Sequence, residues 1–362
     1  MKFHIERDQW LEALTATSRA ASKSGAPPSL SGIRMEVAGG HLSLIGTDLD
    51  ITVRAGLAIA GGTDGVCVVP ARLATEIVRA LEPGRVSFSL DESEVTIRAG
   101  RSRFTLRSLP PEEFVRTADP GGEAVVVDAA ALLGALSQVV RAASRDDARQ
   151  ILTGVLMAAE AGGLRLVATD SYRLALRDLP GTSVLGEGQH VLVPARALSD
   201  LTRLLSGATE VKVRLGTEEA SFDIGAVRLI TRLIQGDFPN YQQLIPSSYP
   251  NRLVVTREVL LDAVRRVKLL AREATPVRLT MGPDILELTA VTQDVGQAHE
   301  EIDAKYDGSE IVVAFNPEFL IEGVEAVGGE EVSIETVDPL KPAMLRPVDS
   351  SEYFYLLMPV RV

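Results

Sequence analysis

The sequence predicts an α+β protein built from three copies of one unit, in each of which two helices pack on antiparallel sheet. The first observation is repetition at a constant spacing. The segment Leu42–Asp48 recurs as Leu164–Asp170, a fainter third copy is Leu286–Thr292, and their first leucines are 122 residues apart in both intervals. The second is that short segments with apolar residues at every second position alternate with stripes of helical period. Repetition at this interval indicates repeated domains.

Further landmarks return at nearly the same interval and justify the helices. Val69–Arg72 returns 124 residues later as Val193–Arg196, and Val313–Pro317 holds the third place. In the third copy Asn316 and Pro317 supply a helix cap and a first-turn proline. Apolar residues at helical spacing follow each landmark and predict one helix in each repeat. A second stretch with the same spacing predicts another helix in each repeat. The six predicted helical stretches are 8–23, 72–82, 128–149, 196–205, 257–273 and 316–326.

Strands are predicted from alternation of period two. The segment Arg103–Leu109 aligns with Val227–Leu233, 124 residues later, and its third counterpart is Pro342–Pro347. Such short alternating segments, close in sequence, favour antiparallel pairing. The other candidate strands of the first repeat are Gly32–Val37, Leu42–Ile45, Ile51–Ala55, Arg85–Ser89 and Glu94–Arg98.

Domain boundaries are predicted where Pro, Gly and Ser interrupt the pattern. These interruptions lie near Pro120–Gly122 and near Ser247–Pro250. The sequence therefore predicts three domains, which cover residues 1–120, 124–246 and 251–362.

Length and composition limit the class of protein. The chain has 362 residues, of which 46% are hydrophobic and 24% charged, and these globular values exclude a disordered or fibrous protein. The net charge of −12 argues against coating nucleic acid with the whole surface and leaves a local basic face open. The single cysteine, Cys67, excludes a disulfide framework and is expected in the core. A charged N-terminus and the lack of an apolar run of about 20 residues predict a cytoplasmic protein.

No catalytic motif is evident. The four histidines lie far apart, and the chain has neither a phosphate-binding glycine loop nor a nucleophile elbow. Asp48, Asp50 and Asp170 follow strand-like segments, where Asp favours a turn because it bonds its own backbone two residues on. The third copy has Val291 and Thr292 at this place. We expect no enzyme activity, metal or cofactor, and a metal-dependent hydrolase using Asp48 and Asp170 is the alternative.

Charge is distributed unevenly between the predicted elements. The six helical stretches sum to zero, so the whole net charge of −12 lies in the remainder. Their cations bunch toward the C-terminal ends, which the helix dipole alone would favour. The alternative is that a common helical face contacts phosphates without reading the base sequence. The residues by themselves leave both explanations open.

Apart from the repeats, the chain contains in this order the segments Met1–Phe3, Gly46–Leu49, Gly100–Phe104, Ala168–Ala175, Asp237–Tyr241, Ala314–Pro317 and Tyr355–Arg361. Taken together with the repeats, these segments resemble, in the family's order, the signatures of the bacterial DNA polymerase III beta subunit family, the replication sliding clamps. The resemblance covers essentially the whole chain.

The resemblance implies three clamp domains per chain and a head-to-tail homodimer that closes into a ring around double-stranded DNA. It implies a processivity factor with no catalytic activity of its own. Such a protein tethers the replicative DNA polymerase, and the clamp loader and repair proteins also bind it through short hydrophobic peptides. The rival interpretation is a repeat scaffold unrelated to DNA, whose cations merely cap helices.

The resemblance also implies a partner-peptide groove built by the second and third domains. A mostly apolar groove with a few polar anchors suits a short peptide with Leu and Phe side chains. Without the resemblance, the leucines and Met358 would be interpreted as ordinary core. The implied groove residues are Leu152, Thr169, Ser171, Tyr172, Arg173, Leu174, Pro239, Gln243, Leu244, Asn316, Phe319, Leu340, Leu356, Met358, Pro359, Val360 and Arg361.

The subunit joint is implied in the same way. Phe104 and Leu106 of the first domain would meet Leu269 and Leu270 of the third. Edge strands at this joint could pair and so cover exposed backbone groups.

The implied DNA contacts lie on helices or adjoining loops. The acidic last helix, with Glu318, Glu322 and Glu325, departs from a uniformly basic lining. The DNA contacts that we expect are Lys23, Arg145 and Arg149.

Overall fold

Six α-helices occur in the computed structural model, which describes residues 1–22, 27–114, 123–160, 162–271 and 275–361. Two lie in each predicted repeat, and each begins within one residue of its predicted start. They are α1 (Arg7–Ser18), α2 (Ala71–Ala80), α3 (Ala129–Val139), α4 (Ala195–Leu204), α5 (Arg257–Lys268) and α6 (Pro317–Ala326).

Antiparallel strands form the sheets, and every predicted strand of the first repeat is present. The mixture of helices and antiparallel sheet confirms the predicted α+β class. In chain order the strands are β1 (Lys2–Glu6), β2 (Gly32–Ala38), β3 (His41–Thr47), β4 (Ile51–Ala58), β5 (Ala60–Thr63), β6 (Gly65–Pro70), β7 (Arg85–Asp91), β8 (Glu94–Ala99), β9 (Ser102–Arg107), β10 (Val125–Asp128), β11 (Gly154–Glu160), β12 (Gly163–Thr169), β13 (Arg173–Pro180), β14 (His190–Pro194), β15 (Glu210–Leu215), β16 (Glu219–Ile224), β17 (Val227–Arg232), β18 (Asn251–Thr256), β19 (Val277–Gly282), β20 (Ile285–Thr292), β21 (Gly296–Asp303), β22 (Lys305–Asp307), β23 (Ile311–Phe315), β24 (Glu331–Thr336), β25 (Ala343–Pro347) and β26 (Tyr353–Leu357).

The chain forms two compact units. The first comprises Met1–Ala130 and Arg196–Leu233, and the second Ala131–Ala195 and Ile234–Val362. The first unit has sheets of order β5-β1-β7-β8-β9 and β10-β15-β16-β17-β4-β3-β2-β6. The second has sheets of order β14-β11-β12-β13-β26-β25-β24-β18-β22 and β21-β20-β19-β23. Each unit therefore contains one large sheet to which two successive repeats contribute.

The two large sheets join successive repeats in the same way. In the first unit β4 pairs with β17, with Thr52 opposite Ile230, and in the second unit β13 pairs with β26, with Leu174 opposite Leu356. Thr52 and Leu174 occupy the same place after the repeated strands β3 and β12, so the two junctions share one register. The remaining half-sheets end in β9 and β21, which have a neighbour on one side only among the described strands.

One predicted alignment between repeats is wrong by one residue. Leu109 donates its backbone N–H to Val68, and Ile234 donates its own to Leu192, the repeat counterpart of Val68. Leu109 therefore corresponds to Ile234, and Phe104 corresponds to Leu229 rather than to Arg228. The correction matters because a shift of one residue in a strand moves every side chain to the opposite face.

Three helices end at least five residues earlier than the sequence predicts, and one of them is the stretch 257–273, which is α-helical only to Lys268. The stretch 8–23 is α-helical only to Ser18, where Thr17 Oγ1 donates back to the carbonyls of Ala13 and Leu14. The stretch 128–149 is α-helical only to Val139 and continues as a 3-10 turn, Val140–Ala142, after which Ala143 is extended. Asp146 then accepts the N–H of Ala148 and caps a second 3-10 segment, Asp147–Thr153. Arg145 and Arg149 consequently lie beyond the helix. No helix among the described residues is long and apolar enough to cross a membrane.

The core of the first repeat places α1 against the sheet. The rings of Phe3, Trp10 and Phe88 pack together, with centroids 4.7–5.9 Å apart. A Cβ added to Gly46 would lie 2.0 Å from the Thr17 carbonyl oxygen, so only glycine lets α1 approach β3 this closely. Cys67 is buried in the same cluster, as expected, and burial raises the pKa of its thiol to about 12.

Candidate functional site

The turn between β12 and β13 is fixed by its own side chains. Asp170 Oδ1 accepts the backbone N–H groups of Tyr172 and Arg173 at 2.9 and 3.0 Å. Thr169 Oγ1 donates to the Arg173 carbonyl at 2.6 Å, and Ser171 has a left-handed φ of 80°. The predicted turn role of Asp170 is therefore confirmed.

The first repeat builds the same turn. Asp48 Oδ1 accepts the N–H groups of Asp50 and Ile51 at 3.2 and 2.8 Å, and Leu49 has a φ of 82°. Asp48 also pairs with Arg196 at 2.7 Å. Within the described ranges, no three His, Cys, Asp or Glu side chains are grouped so that they could hold a metal ion. These aspartates shape turns in both repeats.

A buried arginine lies under the second-repeat turn. The Arg173 side chain pairs with Asp170 at 3.0 Å and with Glu322 of α6, and its Nη2 donates to the Arg141 carbonyl at 2.7 Å. Its guanidinium lies 4.4 Å from the centroid of the Phe319 ring. Burial by itself lowers the pKa of Arg173, but Tyr355 and Glu322 raise it overall, so the cation stays charged. This cluster ties β13 to α6.

Aromatic and apolar side chains lie above this arginine. Tyr172 is 60% exposed and faces the Phe319 ring at a centroid distance of 6.4 Å. Met358 donates its N–H to the Tyr172 carbonyl at 2.9 Å, and Val360 donates to the Ala314 carbonyl at 2.8 Å. The C-terminal segment is thereby held beside the turn, with Met358 and Val360 exposed.

The remaining predicted groove residues divide by exposure. Leu174 and Leu356 pair across the β13–β26 junction and are buried, so for them the core interpretation is right. Leu244 and Leu340 are exposed, so the core interpretation is wrong for these two leucines. Ala343, three residues after Leu340, pairs with Leu357 and brings that loop to the sheet end that carries Met358.

The other residues of the predicted set differ in their contacts and exposure. Asn316 caps α6 by accepting the N–H groups of Glu318 and Phe319. Leu152 is half-buried, and its carbonyl accepts the Ser144 N–H. Pro239, Gln243 and Arg361 are exposed and Pro359 half-buried.

Sequence reasoning missed three groups that support the site. Tyr355 Oη donates to the Phe319 carbonyl at 3.0 Å, and Glu322 and Arg141 complete the shell around Arg173. Tyr355 belongs to an alternating strand and the other two to helical stretches. Their residue types are ordinary in those positions, so only the folded chain identifies them.

The expected DNA contacts have different surroundings. Arg145 is exposed, with no ion-pair partner within the described part of the chain. Arg149 Nη1 donates to the Asp170 carbonyl and to Ser171 Oγ, and its Nε pairs with Asp146. Lys23 lies outside the described residues. Arg149 is thus attached to the turn beneath Tyr172.

The end strands β9 and β21 carry opposite charges. β9 and the residue before it contain Arg101, Arg103 and Arg107, whereas β21 contains Glu300, Glu301 and Asp303. Such edges offer unpaired backbone groups to another strand.

Apolar residues accompany these edges. Leu269 is 84% exposed, Phe104 is exposed, Leu270 is half-buried beside Gly296 of β21, and Leu106 is buried. An 84% exposed leucine is the kind of surface that a partner covers.

Comparison with known proteins gives consistent matches along the whole chain. Residues 1–117, 126–240 and 242–361 match the N-terminal, central and C-terminal domain families of the DNA polymerase III beta subunit. The beta sliding clamp of Streptomyces coelicolor is 34% identical over all of both chains, and that of Staphylococcus aureus is 28% identical over 100% of this chain and 99% of its own.

Solved structures agree with these matches. The beta subunit of Thermotoga maritima superimposes with a TM-score of 0.93 at 26% identity, covering 100% of this chain and 99% of that one. The sliding clamp of Bartonella birtlesii bound to griselimycin gives a TM-score of 0.94 at 30% identity, with both chains fully covered.

Proposed function

The chain belongs to the DNA polymerase III beta subunit family, the beta sliding clamps, and from that premise we propose that two copies close head to tail into a ring around duplex DNA. Clamps of this family are processivity factors without catalytic activity, and this chain tethers the replicative polymerase to DNA. The observation that carries the proposal is the full-length match to the three clamp domains in order. We propose the cytoplasm as its location and 1–120, 124–246 and 251–362 as its domains.

Topological retention on DNA tests the tethering function. A ring held by topology stays on nicked circular DNA at a salt concentration that weakens phosphate contacts and is lost when the circle is cut. A repeat scaffold unrelated to DNA would show no difference between circle and linear DNA. Among the expected DNA contacts, we keep Arg145 and Lys23 as phosphate contacts and assign Arg149 to support of the Ser171 turn.

The strand junction between successive repeats occurs twice within the chain. This repetition supports a third junction of the same kind between subunits, the ring joint. Both internal junctions have one register, and a third junction of the same kind would pair β21 of one chain with β9 of the next. In the other two repeats, the counterparts of β9 are β17 and β26, and the counterparts of β21 are β4 and β13. When the register of the internal junctions is applied to β9 and β21, Phe104 lies opposite Ala298 and Leu106 lies opposite Gly296. The contact joins unlike surfaces, as a head-to-tail assembly requires. It also brings Leu269 and Leu270 to the partner's β9.

Cysteine pairs test this register. In the internal junctions the pairs corresponding to Phe104–Ala298 exchange no backbone hydrogen bonds, and Cα atoms of such pairs are about 4.5 Å apart, within disulfide range. Phe104→Cys with Ala298→Cys should give a covalent dimer on mild oxidation. The off-register control, Ser102→Cys with Ala298→Cys, should give little. Cys67 does not compete, because burial raises the pKa of its thiol to about 12. Equal cross-linking of both pairs would reject the register.

The groove around Tyr172 and Met358 is proposed as the partner-peptide site. Its support is an exposed apolar set held by backbone bonds beside a buried cation. The Bartonella relative binds griselimycin, and we propose that this groove takes peptide-like ligands, including peptides of the polymerase, clamp loader and repair proteins. The proposed groove set is unchanged from the one that the resemblance implies, with Leu174 and Leu356 as its floor.

Removal of the C-terminal segment tests the groove. Deleting residues 358–362 removes Met358 and Val360 and should abolish binding of a polymerase-derived peptide, measured by fluorescence anisotropy. The dimer should persist, because β9 and β21 are untouched. Val312→Ala, which truncates an exposed apolar residue of β23, is the control and should bind normally. Unchanged peptide affinity after the deletion would reject the groove.

A further inference from the structure

The cations at the C-terminal end of α5 are all engaged by carboxylates of the same chain. Lys268 Nζ lies 2.5 Å from Glu318 Oε1, and Arg265 Nη2 lies 2.9 Å from Glu325 Oε1. Arg266 is paired with Glu300 of β21. The cluster of basic residues that the sequence presents in α5 is therefore neutralised locally.

Helix α6 is the source of most of these carboxylates. Glu325 bridges two cations, because its second oxygen lies 3.2 Å from Arg141 Nη1. Glu318 and Glu325 lie at opposite ends of α6, and α5 packs along that helix. The pairs are partly exposed, so solvent ions and phosphates can reach them.

Cations on the other helices or on the loops that follow them differ from those of α5. Arg79 near the end of α2, Arg19 just after α1, and Arg145 have no ion-pair partner within the described ranges. These three residues are available to a phosphate at once. Arg141, Arg265 and Lys268 are available only after a carboxylate is displaced.

We infer that Glu318 and Glu325 weaken the hold of the ring on DNA by occupying cations that would otherwise bind phosphates. The inference rests on the proposed function, in which the helices face the duplex. A ring that encloses DNA needs no strong phosphate contact for retention, and weak contacts let it move along the duplex. The acidic helix α6 thus lowers the strength of contact between the ring and DNA. It does not interrupt the basic surface that faces the duplex.

The size of the effect follows from counterion release. Each phosphate contact contributes about 0.9 to the slope of log affinity against log salt. Replacing the two glutamates frees Arg141 and Lys268, whereas Arg265 keeps a second carboxylate, Asp262, at 3.5 Å from its Nη1. Two to three freed cations steepen the slope by about 1.8 to 2.7, and between 50 and 200 mM salt this is roughly a 12- to 40-fold additional loss of affinity. At low salt the variant binds correspondingly tighter.

The test variant is Glu318→Gln with Glu325→Gln, which keeps hydrogen-bonding side chains and leaves Glu322 to pair with buried Arg173. The matched control is Glu187→Gln with Glu218→Gln, two exposed residues outside the helices that have no ion-pair partner among the described residues. Both pairs change the chain's net charge from −12 to −10. Binding of a 30-base-pair duplex is measured by fluorescence anisotropy from 25 to 200 mM salt, and diffusion of loaded rings is followed on single DNA molecules.

We expect the test variant to bind at least 10-fold more tightly than the control at 50 mM salt, with a steeper salt slope and slower diffusion. Equal slopes and equal diffusion for the two variants would overturn the inference. Failure of the unmodified ring to remain on nicked circular DNA would instead overturn the proposed function.

A second pair of variants tests the same point from the cations. Arg265→Gln with Lys268→Gln should change affinity for the duplex less than twofold, because these cations are already paired. Arg79→Gln with Arg145→Gln should weaken binding at least 10-fold. Equal losses in both would overturn the inference even if the glutamine variants of α6 fold poorly.

Discussion

Leu269 gives the sharpest test of the ring joint. It is 84% exposed in a single chain, so the chain alone gains almost nothing from its side chain. Burial of a leucine side chain stabilises by about 1.5–3 kcal/mol. If the partner covers it, Leu269→Ala weakens each joint by about 2 kcal/mol, and a dimer with two joints by about 4 kcal/mol, which is roughly 700-fold in the dissociation constant.

The dimer dissociation constant is measured by sedimentation velocity over a dilution series. Val259→Ala is the control, because Val259 is also exposed and lies in the first turn of the same helix. Thermal unfolding of the diluted monomer should stay within about 0.5 kcal/mol of the unmodified chain for both variants. A Leu269→Ala dimer as tight as the Val259→Ala dimer would refute the reasoning about the joint.

Three further outcomes are expected. Tyr172→Ala should weaken binding of a polymerase-derived peptide by about 10-fold or more, since it removes the exposed ring stacked on Phe319. A peptide titration that gives the affinity of the unmodified chain would contradict this. Arg173→Met should lower the free energy of unfolding in urea by about 3–5 kcal/mol, because Asp170 and Glu322 lose a buried partner. Gly46→Ala should destabilise by about 1–3 kcal/mol by overpacking against α1, whereas Gly134→Ala, whose Cβ meets nothing within 4 Å, should not destabilise.

The sequence predicted the repeat and its elements because these depend on local chemistry. The caps and stripes that open helices act within a few residues, so α6 starts after Asn316 as expected. The turn role of Asp170 was predictable for the same reason, since its acceptors and donors are adjacent in the chain.

Features that depend on tertiary contacts were not predictable. The one-residue shift between Leu109 and Ile234 appears only when their bonds to Val68 and Leu192 are seen. After the early end of α3, the Arg141 carbonyl accepts a hydrogen bond from Arg173, and the Ser144 N–H donates to the Leu152 carbonyl. Neither contact is visible in the local sequence. The ion pairs between α5 and α6 join residues about 50 to 60 positions apart in the chain. A count of the charges in each helix therefore does not show that these charges are paired.

The chemistry of the joint follows from the fact that it must open. A closed ring reaches circular DNA only if one junction separates, and an open edge of apolar residues would aggregate. At the permanent second junction Leu174 pairs with Leu356, and Leu176 with Phe354. In the same register the joint would pair Gln297 with Thr105, and His299 with Arg103.

Charged edges of opposite sign protect each strand while it is free and still favour the correct partner when it closes. In the proposed joint, the exposed Leu269 at the end of α5 would add apolar burial outside the strands themselves. A joint of this kind would open and reseal more readily than the junction between the second and third repeats, which is apolar and lies within one chain.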